Sequence, residues 1–403
     1  MRGAQVSERR VGGATVPWAF VRNCLMVITA IPSPPPERRL ALTIATVERL
    51  VKLGHQVVLP TGYGAPLKLS DEAWQKAGAE VVAESVARER AEIVLVVTPP
   101  QPAALAGLKR GTFVVGFLDP FFSLPTVRAL AEGGLRAMCV ELMPRTTYAQ
   151  KMDALSSQAS LAGYVAVVLA AQRIDKVLPM MSTPAGTIAP ARVFVLGVGV
   201  AGLQAIATAK RLGARVDAFD TRPVVAEQVR SLGARFVEFD LGGEQGQTDQ
   251  GYAKALTDEQ LARQREQMAK VVGQSDVVLT TAQVFGRPAP RLLGAEAIAG
   301  MKPGSVVVDL AASTGGNVEG TVAGEEVVTE NGVRIIGLHP LPASVARDAS
   351  AMYAANLAHF IEHAWKENRL RPAAEDDIVG AVLLTDDGVV RHDAVRERLE
   401  AQS

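Results

Sequence analysis

Between Arg192 and Asp220 the chain reads RVFVLGVGVAGLQAIATAKRLGARVDAFD. The apolar run Val193 to Leu196 has the length and composition of a buried strand. Glycines at 197, 199 and 202 follow in GxGxxG spacing, and an alanine-rich helix runs to about Arg211. A second apolar strand then ends at Asp220. Each glycine has a separate physical task. Gly197 turns the chain sharply out of the strand, Gly199 lets backbone approach a pyrophosphate, and Gly202 lets the helix pack close to the sheet. The helix N-terminus, with Val200 and Ala201 in its first turn, offers N–H groups and a positive dipole end to phosphate. Asp220 stands 18 residues after Gly202, where a carboxylate accepts the hydroxyls of an adenosine ribose, with Thr221 and Arg222 beside it. GxGxxG alone is a weak signal; the flanking strands, helix and acid make this a dinucleotide fingerprint. The carboxylate favours NAD over NADP, because a 2′-phosphate would meet a negative charge. Arg222 tempers that preference.

A chain of 403 residues exceeds one ordinary core and predicts two domains. Lys plus Arg and Asp plus Glu balance at 42 each, which gives no argument for nucleic acid or an acidic membrane surface. Cys24 and Cys139 lack metal-ligand spacing and make no disulfide framework, which fits a reducing compartment. The longest apolar stretch, Ala159 to Ala171, is too short to span a bilayer. Residues 1–25 contain neither an apolar signal region nor a cleavage site. They read as a disordered leader or as a start site placed too early, with Met26 a natural beginning.

Apolar runs at Leu25 to Ala30, His55 to Leu59, Ile93 to Val97 and Phe113 to Phe117 alternate with helical patterns at Glu37 to Leu53 and Asp71 to Ala77. This alternation predicts a parallel sheet covered by helices. The Glu37-Arg38-Arg39 cluster reads as charges at a helix start, and Asp119-Pro120-Phe121-Phe122 as a strand-end turn with core aromatics. In the stretch from Cys139 to Gln158, Pro144 ends a strand. A helix from about Ala149 would put Gln150, Asp153 and Ser156 or Ser157 on one face beside Arg145. A solvated helix face is the plain alternative; the position of the stretch, between the two domains, favours a site.

Residues 177–191 carry a hairpin signal around Pro184-Ala185-Gly186. Met180 and Met181 there suggest an arm that packs on a second subunit. After Asp220 come a helix (Val225 to Gly233) and a strand (Phe236 to Phe239). The glycine-rich loop 241–256, containing Gly251-Tyr252-Ala253, has the length of a functional or mobile loop. A helix over Thr257 to Val272 contains Gln264. Strands at Val277 to Thr280, Ser305 to Leu310 and Arg334 to Gly337 continue the pattern, interleaved with Thr280-Thr281-Ala282 and Gly315-Gly316-Asn317. A helix from Ser350 to Glu367 returns toward the first domain, and Asp386-Asp387-Gly388 turns a terminal hairpin.

Five stretches carry a family resemblance: PERRLAL near the start, MPR-x4-Q-x2-DALSSQ, GVGVAGLQAIATAKRLGA, TTA-x3-GRPAP and KPGSVVVDLA. With them the chain resembles the alanine dehydrogenase and transhydrogenase superfamily over almost all of residues 26–403. Within it the chain is most similar to the soluble NAD(H)-binding alpha subunits of proton-translocating NAD(P) transhydrogenases. The resemblance implies two Rossmann-like α/β domains with parallel sheets and the nucleotide in the cleft between them. They are an N-terminal domain at 26–144, completed by about 340–403, and an NAD(H)-binding domain at 145–339. It implies that Arg145, Gln150, Asp153 and Ser156 hold the nicotinamide end, with Gln150 orienting the ring. It also implies that Gly251 and Tyr252 close over the adenosine, that Gln264 assists, and that 177–191 is a homodimer arm. Tyr148, Gln283 and the neutral arm depart from the family pattern and leave those core matches intact.

An alanine dehydrogenase is the rival reading, and an NAD-binding protein without turnover a third. Oxidative deamination needs a proton acceptor; that family has a lysine after the third strand and a histidine after the fourth. Here those places hold Thr98-Pro99-Pro100 and Leu118-Asp119-Pro120. Hydride exchange between two nicotinamides moves no proton at the reacting carbons and needs close approach and exclusion of water. The resemblance therefore implies an enzyme subunit that passes hydride between its NAD(H) and NADP(H) on a partner beta subunit. Proton translocation would fall to a membrane-spanning partner, and this chain would sit on the cytoplasmic face.

Overall fold

A computed structural model describes residues 26–240, 257–366 and 369–401, together with an antiparallel pair of short strands, Arg10–Val11 and Ala14–Thr15. The rest of the leader 1–25 and the loop 241–256, with Gly251 and Tyr252, lie outside the described residues. The chain divides into two units, residues 1–154 with 350–403 and residues 155–349. Each is a parallel-dominated α/β unit, as the alternation of apolar runs predicts.

In the first unit an eight-stranded sheet has the order Val389–Val390, Leu383–Asp386, Arg136–Cys139, Phe113–Gly116, Ile93–Val96, Val27–Ala30, Gln56–Pro60, Glu80–Val82. The last six of these run parallel. Strands Ile93–Val96 and Phe113–Gly116 are buried along their whole length, which is why they read as unbroken apolar runs. Leu383–Asp386 adds antiparallel to Arg136–Cys139 and turns into Val389–Val390 through Asp387 and Gly388, both at positive φ. Two consecutive left-handed residues are what a two-residue hairpin turn requires.

The expected helix from Glu37 is shorter than its pattern. It spans Ile44–Lys52 behind a Thr43 cap that accepts from the Thr46 N–H. Glu37 and Arg39 lie ahead of it in a non-helical turn and form a buried ion pair, with guanidinium–carboxylate bonds of 2.9 and 2.7 Å. They are not helix-start charges. At the strand-end turn, Phe121 packs against the core while Phe122 is exposed.

The second unit has a seven-stranded sheet in the order Arg235–Phe236, Arg215–Phe219, Arg192–Leu196, Val277–Thr280, Val306–Asp309, Arg334–Ile336, Glu326–Val328. All pairs are parallel except the last. Strand order reverses between Arg192–Leu196 and Val277–Thr280, and in a doubly wound sheet ligands bind beyond the strand ends at such a switch point. Helix Ala154–Arg173 is 20 residues long, longer than its apolar stretch suggests. It is the one described helix with the length and composition to cross a membrane. Its Val165, Ala166, Val167 and Ala170 are buried in the core of this unit. The hairpin Met181–Thr183 with Gly186–Ile188 forms, and all six of its residues are exposed.

Candidate functional site: a glycine turn at the end of a central strand

The turn after strand Arg192–Leu196 is held by contacts that leave no room for side chains. Gly197 has φ of 95°, and a Cβ there would lie 2.6 Å from the Thr281 hydroxyl. A Cβ on Gly202 would lie 2.0 Å from the Gly197 carbonyl oxygen. Gly202 is therefore required by the close passage of helix Val200–Arg211 over the turn. Gly199 is different: a Cβ there would meet nothing within 4 Å. It precedes the helix in extended backbone and supplies no side-chain cap. Space is thus open beside Gly199, with exposed Val200 and half-buried Ala201 following it in the first turn. Unpaired N–H groups at a helix N-terminus are the kind of site that binds anions.

Asp220 ends the neighbouring strand. Its carboxylate accepts the Val198 N–H at 2.7 Å and the Arg222 N–H at 2.9 Å, and is bridged by the Arg222 guanidinium at 2.9 and 3.0 Å. Burial works against its charge, but the Arg222 guanidinium and these N–H groups outweigh it and hold the carboxyl below the usual carboxylate range. The Asp220 side chain is 8% exposed and that of Arg222 44%. Thr221 is exposed beside them. Asp220 thus braces the glycine turn as well as standing at the ribose position of the fingerprint.

Arg145, Gln150, Asp153 and Ser156 do not share one continuous helix. Thr147–Met152 is a 3-10 turn, Asp153 breaks it with ψ of 87°, and the α-helix starts at Ala154. Aspartate is favoured at such a junction because its short polar side chain suits the position before a helix. Arg145 and Gln150 are exposed, and Asp153 and Ser156 half-buried. The first three belong to the first unit and Ser156 to the second. Gln264 is half-buried on helix Asp258–Gly273.

Three residues of this neighbourhood have contacts that the sequence does not announce. Gly163 lies within helix Ala154–Arg173, and a Cβ there would come within 2.1 Å of the Ala201 carbonyl oxygen. Thr281 reaches the turn from the end of strand Val277–Thr280, and Asn317, in the loop beyond strand Val306–Asp309, holds Ala282 next to it. Only tertiary contact reveals them.

A doubly wound sheet with a bare-glycine turn at its switch point defines a dinucleotide-binding α/β protein. The C-terminal domain model of the alanine dehydrogenase/PNT family matches residues 166–393, and its N-terminal domain model residues 32–162. The chain belongs to this family. It is 41% identical over 370 residues to an NAD(P) transhydrogenase alpha-subunit polypeptide of Rhodospirillum rubrum, covering 90% of this chain and 96% of that one. Alanine dehydrogenase of Bacillus subtilis is 26% identical, over 90% of this chain and 92% of its own length. Among solved structures, the transhydrogenase from Sinorhizobium meliloti matches with a TM-score of 0.79 and 41% identity, covering 91% of this chain and 99% of that one.

Proposed function

We propose that the chain is the NAD(H)-binding subunit of a proton-translocating NAD(P) transhydrogenase. In this reading Gly197, Gly199, Val200, Ala201 and Gly202 cradle the pyrophosphate, and Asp220, Thr221 and Arg222 take the adenosine ribose. Arg145, Gln150, Asp153 and Ser156 hold the nicotinamide end; Gly251, Tyr252 and Gln264 assist at the adenosine. Bound NAD(H) supplies a hydride donor or acceptor. The chain's own residues orient it and exclude water, and none is asked to accept a proton. NADP(H) belongs to a partner beta subunit and the proton path to a membrane-spanning partner. The hairpin at 177–191, with Met180 66% exposed, serves a homodimer, and the assembly sits at the cytoplasmic face of the membrane.

The observation that carries this choice over an amino-acid dehydrogenase is the lack of a proton acceptor at the strand ends where that family has a lysine and a histidine. Arg38 or Arg39 could anchor an amino-acid carboxylate but cannot take a proton; Arg38 is exposed, and Arg39 is buried and locked two-pronged onto Glu37. Thr98, at the end of the neighbouring strand, donates its hydroxyl to Ser33 at 3.1 Å and offers no base. The test mixes the purified chain with an NADP(H)-binding transhydrogenase subunit and follows oxidation of NADH by an NADP analogue. Transfer supports the reading; no transfer, together with alanine-dependent NADH formation, overturns it.

A further inference from the structure

The Thr280–Thr281–Ala282 and Gly315–Gly316–Asn317 stretches have no role in the reading above, yet a chain of hydrogen bonds joins both to the glycine turn. The Thr281 N–H donates to the Leu196 carbonyl at 2.8 Å. Its hydroxyl lies 3.0 Å from the Gly197 carbonyl and 3.3 Å from that of Leu196. The next residue, Ala282, is gripped on both backbone groups by the Asn317 carboxamide. Its N–H donates to Asn317 Oδ1 at 3.1 Å, and its carbonyl accepts from Asn317 Nδ2 at 2.8 Å. The other Nδ2 proton goes to the Pro290 carbonyl at 2.8 Å. Asn317 is fully buried, so these bonds form without competition from water.

Asn317 is itself fixed by Asp309, which is 1% exposed. One carboxylate oxygen accepts the Asn317 and Val318 N–H groups at 2.8 and 3.1 Å and the Thr321 hydroxyl at 2.9 Å. The other accepts the Thr280 hydroxyl at 3.1 Å and the Ala311 N–H at 3.0 Å. Three strand ends are thus tied into one network whose outermost member is the Thr281 hydroxyl.

The carbonyl that hydroxyl holds belongs to the Gly197–Val198 peptide, whose N–H is held by Asp220 at 2.7 Å, so Thr281 fixes the second end of one peptide plane. Gly197 has a positive φ, and a glycine peptide is free to rotate. Its carbonyl is pressed by Gly202 on one side and bonded by Thr281 on the other. Rotation of this peptide re-aims the backbone N–H groups that follow it, and small misplacements of such donors cost binding and rate.

We propose that Thr281 is a positioning residue for the dinucleotide turn, its hydroxyl fixing the Gly197 carbonyl so that the N–H groups beyond Gly199 point at the pyrophosphate. The network from Asp309 through Asn317 keeps that hydroxyl in place. The proposal rests on the NAD(H) reading and deepens it.

The experiment titrates the full chain and two variants, Thr281→Val and Thr281→Ser, with NADH and with adenosine, which carries base and ribose but no pyrophosphate. Thr281→Val removes the hydroxyl at nearly constant shape. It is expected to weaken NADH about five- to tenfold, the scale of one lost hydrogen bond, with adenosine affinity unchanged within about twofold. Thr281→Ser restores the hydroxyl and should bind both ligands like the wild type. NADH affinity of Thr281→Val within about twofold of wild type overturns the proposal. So does an equal loss of NADH and adenosine, which marks a merely structural residue. Where Thr281→Val fails to fold, Thr281→Ala takes its place under the same criteria. A wild-type chain that does not bind NADH overturns the NAD(H) reading itself, and this proposal with it.

Discussion

Gly163 and Ala201 touch so closely that no other residue fits at position 163: a Cβ there would sit 2.1 Å from the Ala201 carbonyl oxygen. A glycine inside a helix costs about 1 kcal/mol relative to alanine, so helix propensity alone would place alanine here. The contact locates the first turn of helix Val200–Arg211, whose N–H groups face the pyrophosphate in the proposed complex. Gly163→Ala is expected to weaken NADH about tenfold by pushing that turn off its seat. Calorimetric titration beside a melting curve checks it. Wild-type affinity together with a raised melting temperature would show that the long helix yields instead.

Gln150 is exposed on its 3-10 turn and is assigned to orienting the nicotinamide. Shortening it by one methylene in Gln150→Asn keeps the amide but withdraws it. NADH affinity should stay within about tenfold while hydride transfer to the partner's nucleotide slows by a larger factor. Equal losses in both would make Gln150 a plain binding residue.

Asp220 braces Val198 and Arg222 and, in the proposed complex, takes the adenosine ribose. Asp220→Ala should weaken NADH and also narrow its preference over NADPH, because the charge that repels a 2′-phosphate is gone while the Arg222 guanidinium remains. Affinities for both dinucleotides, measured on both proteins, give the ratio directly. An unchanged NADH affinity would place the ribose contact elsewhere.

Glu141 predicts a pH dependence. Desolvation lifts its carboxyl from 4.5 to about 7, against the pull of the Asp119 N–H and the Cys139 thiol. The folded chain therefore holds this proton more tightly than the unfolded chain. The resulting stabilisation is fully present below about pH 4.5 and is lost as pH rises through about 7. Glu141→Gln cannot ionise. The stability of the wild type relative to this variant should fall from pH 4.5 to 7.5 in denaturant titrations; a pH-independent difference would contradict the shift.

The sequence exposes what repeats locally and hides what is made by distance. Val277–Thr280 appears at its predicted limits because a strand buried on both faces is a bare apolar run. Glu80–Val82 and Glu326–Val328 go unread: they are short edge strands, only partly buried, and carry no continuous pattern. The helix predicted from Glu37 begins seven residues late. Leu40, Ala41 and Leu42 run apolar into the helix that follows, but they are an extended segment whose burial serves the core directly. The glycine spacing announces the turn. The stretches that hold Thr281 and Asn317 are visible in the sequence but their contacts are not, because Thr281 meets Gly197 across 84 positions and Asn317 meets Ala282 across 35.

The strand Leu383–Asp386 lies beside Arg136–Cys139, although the whole of residues 155–349 is made between them. On the ribosome the second unit has all its strands before the first has its last ones. A nascent chain that has reached residue 350 can close the dinucleotide-binding sheet while the Arg136–Cys139 edge still has unpaired backbone on one side. Late synthesis is thus the interval in which that edge can pair with another nascent chain, and in which a chaperone that shields it has something to protect.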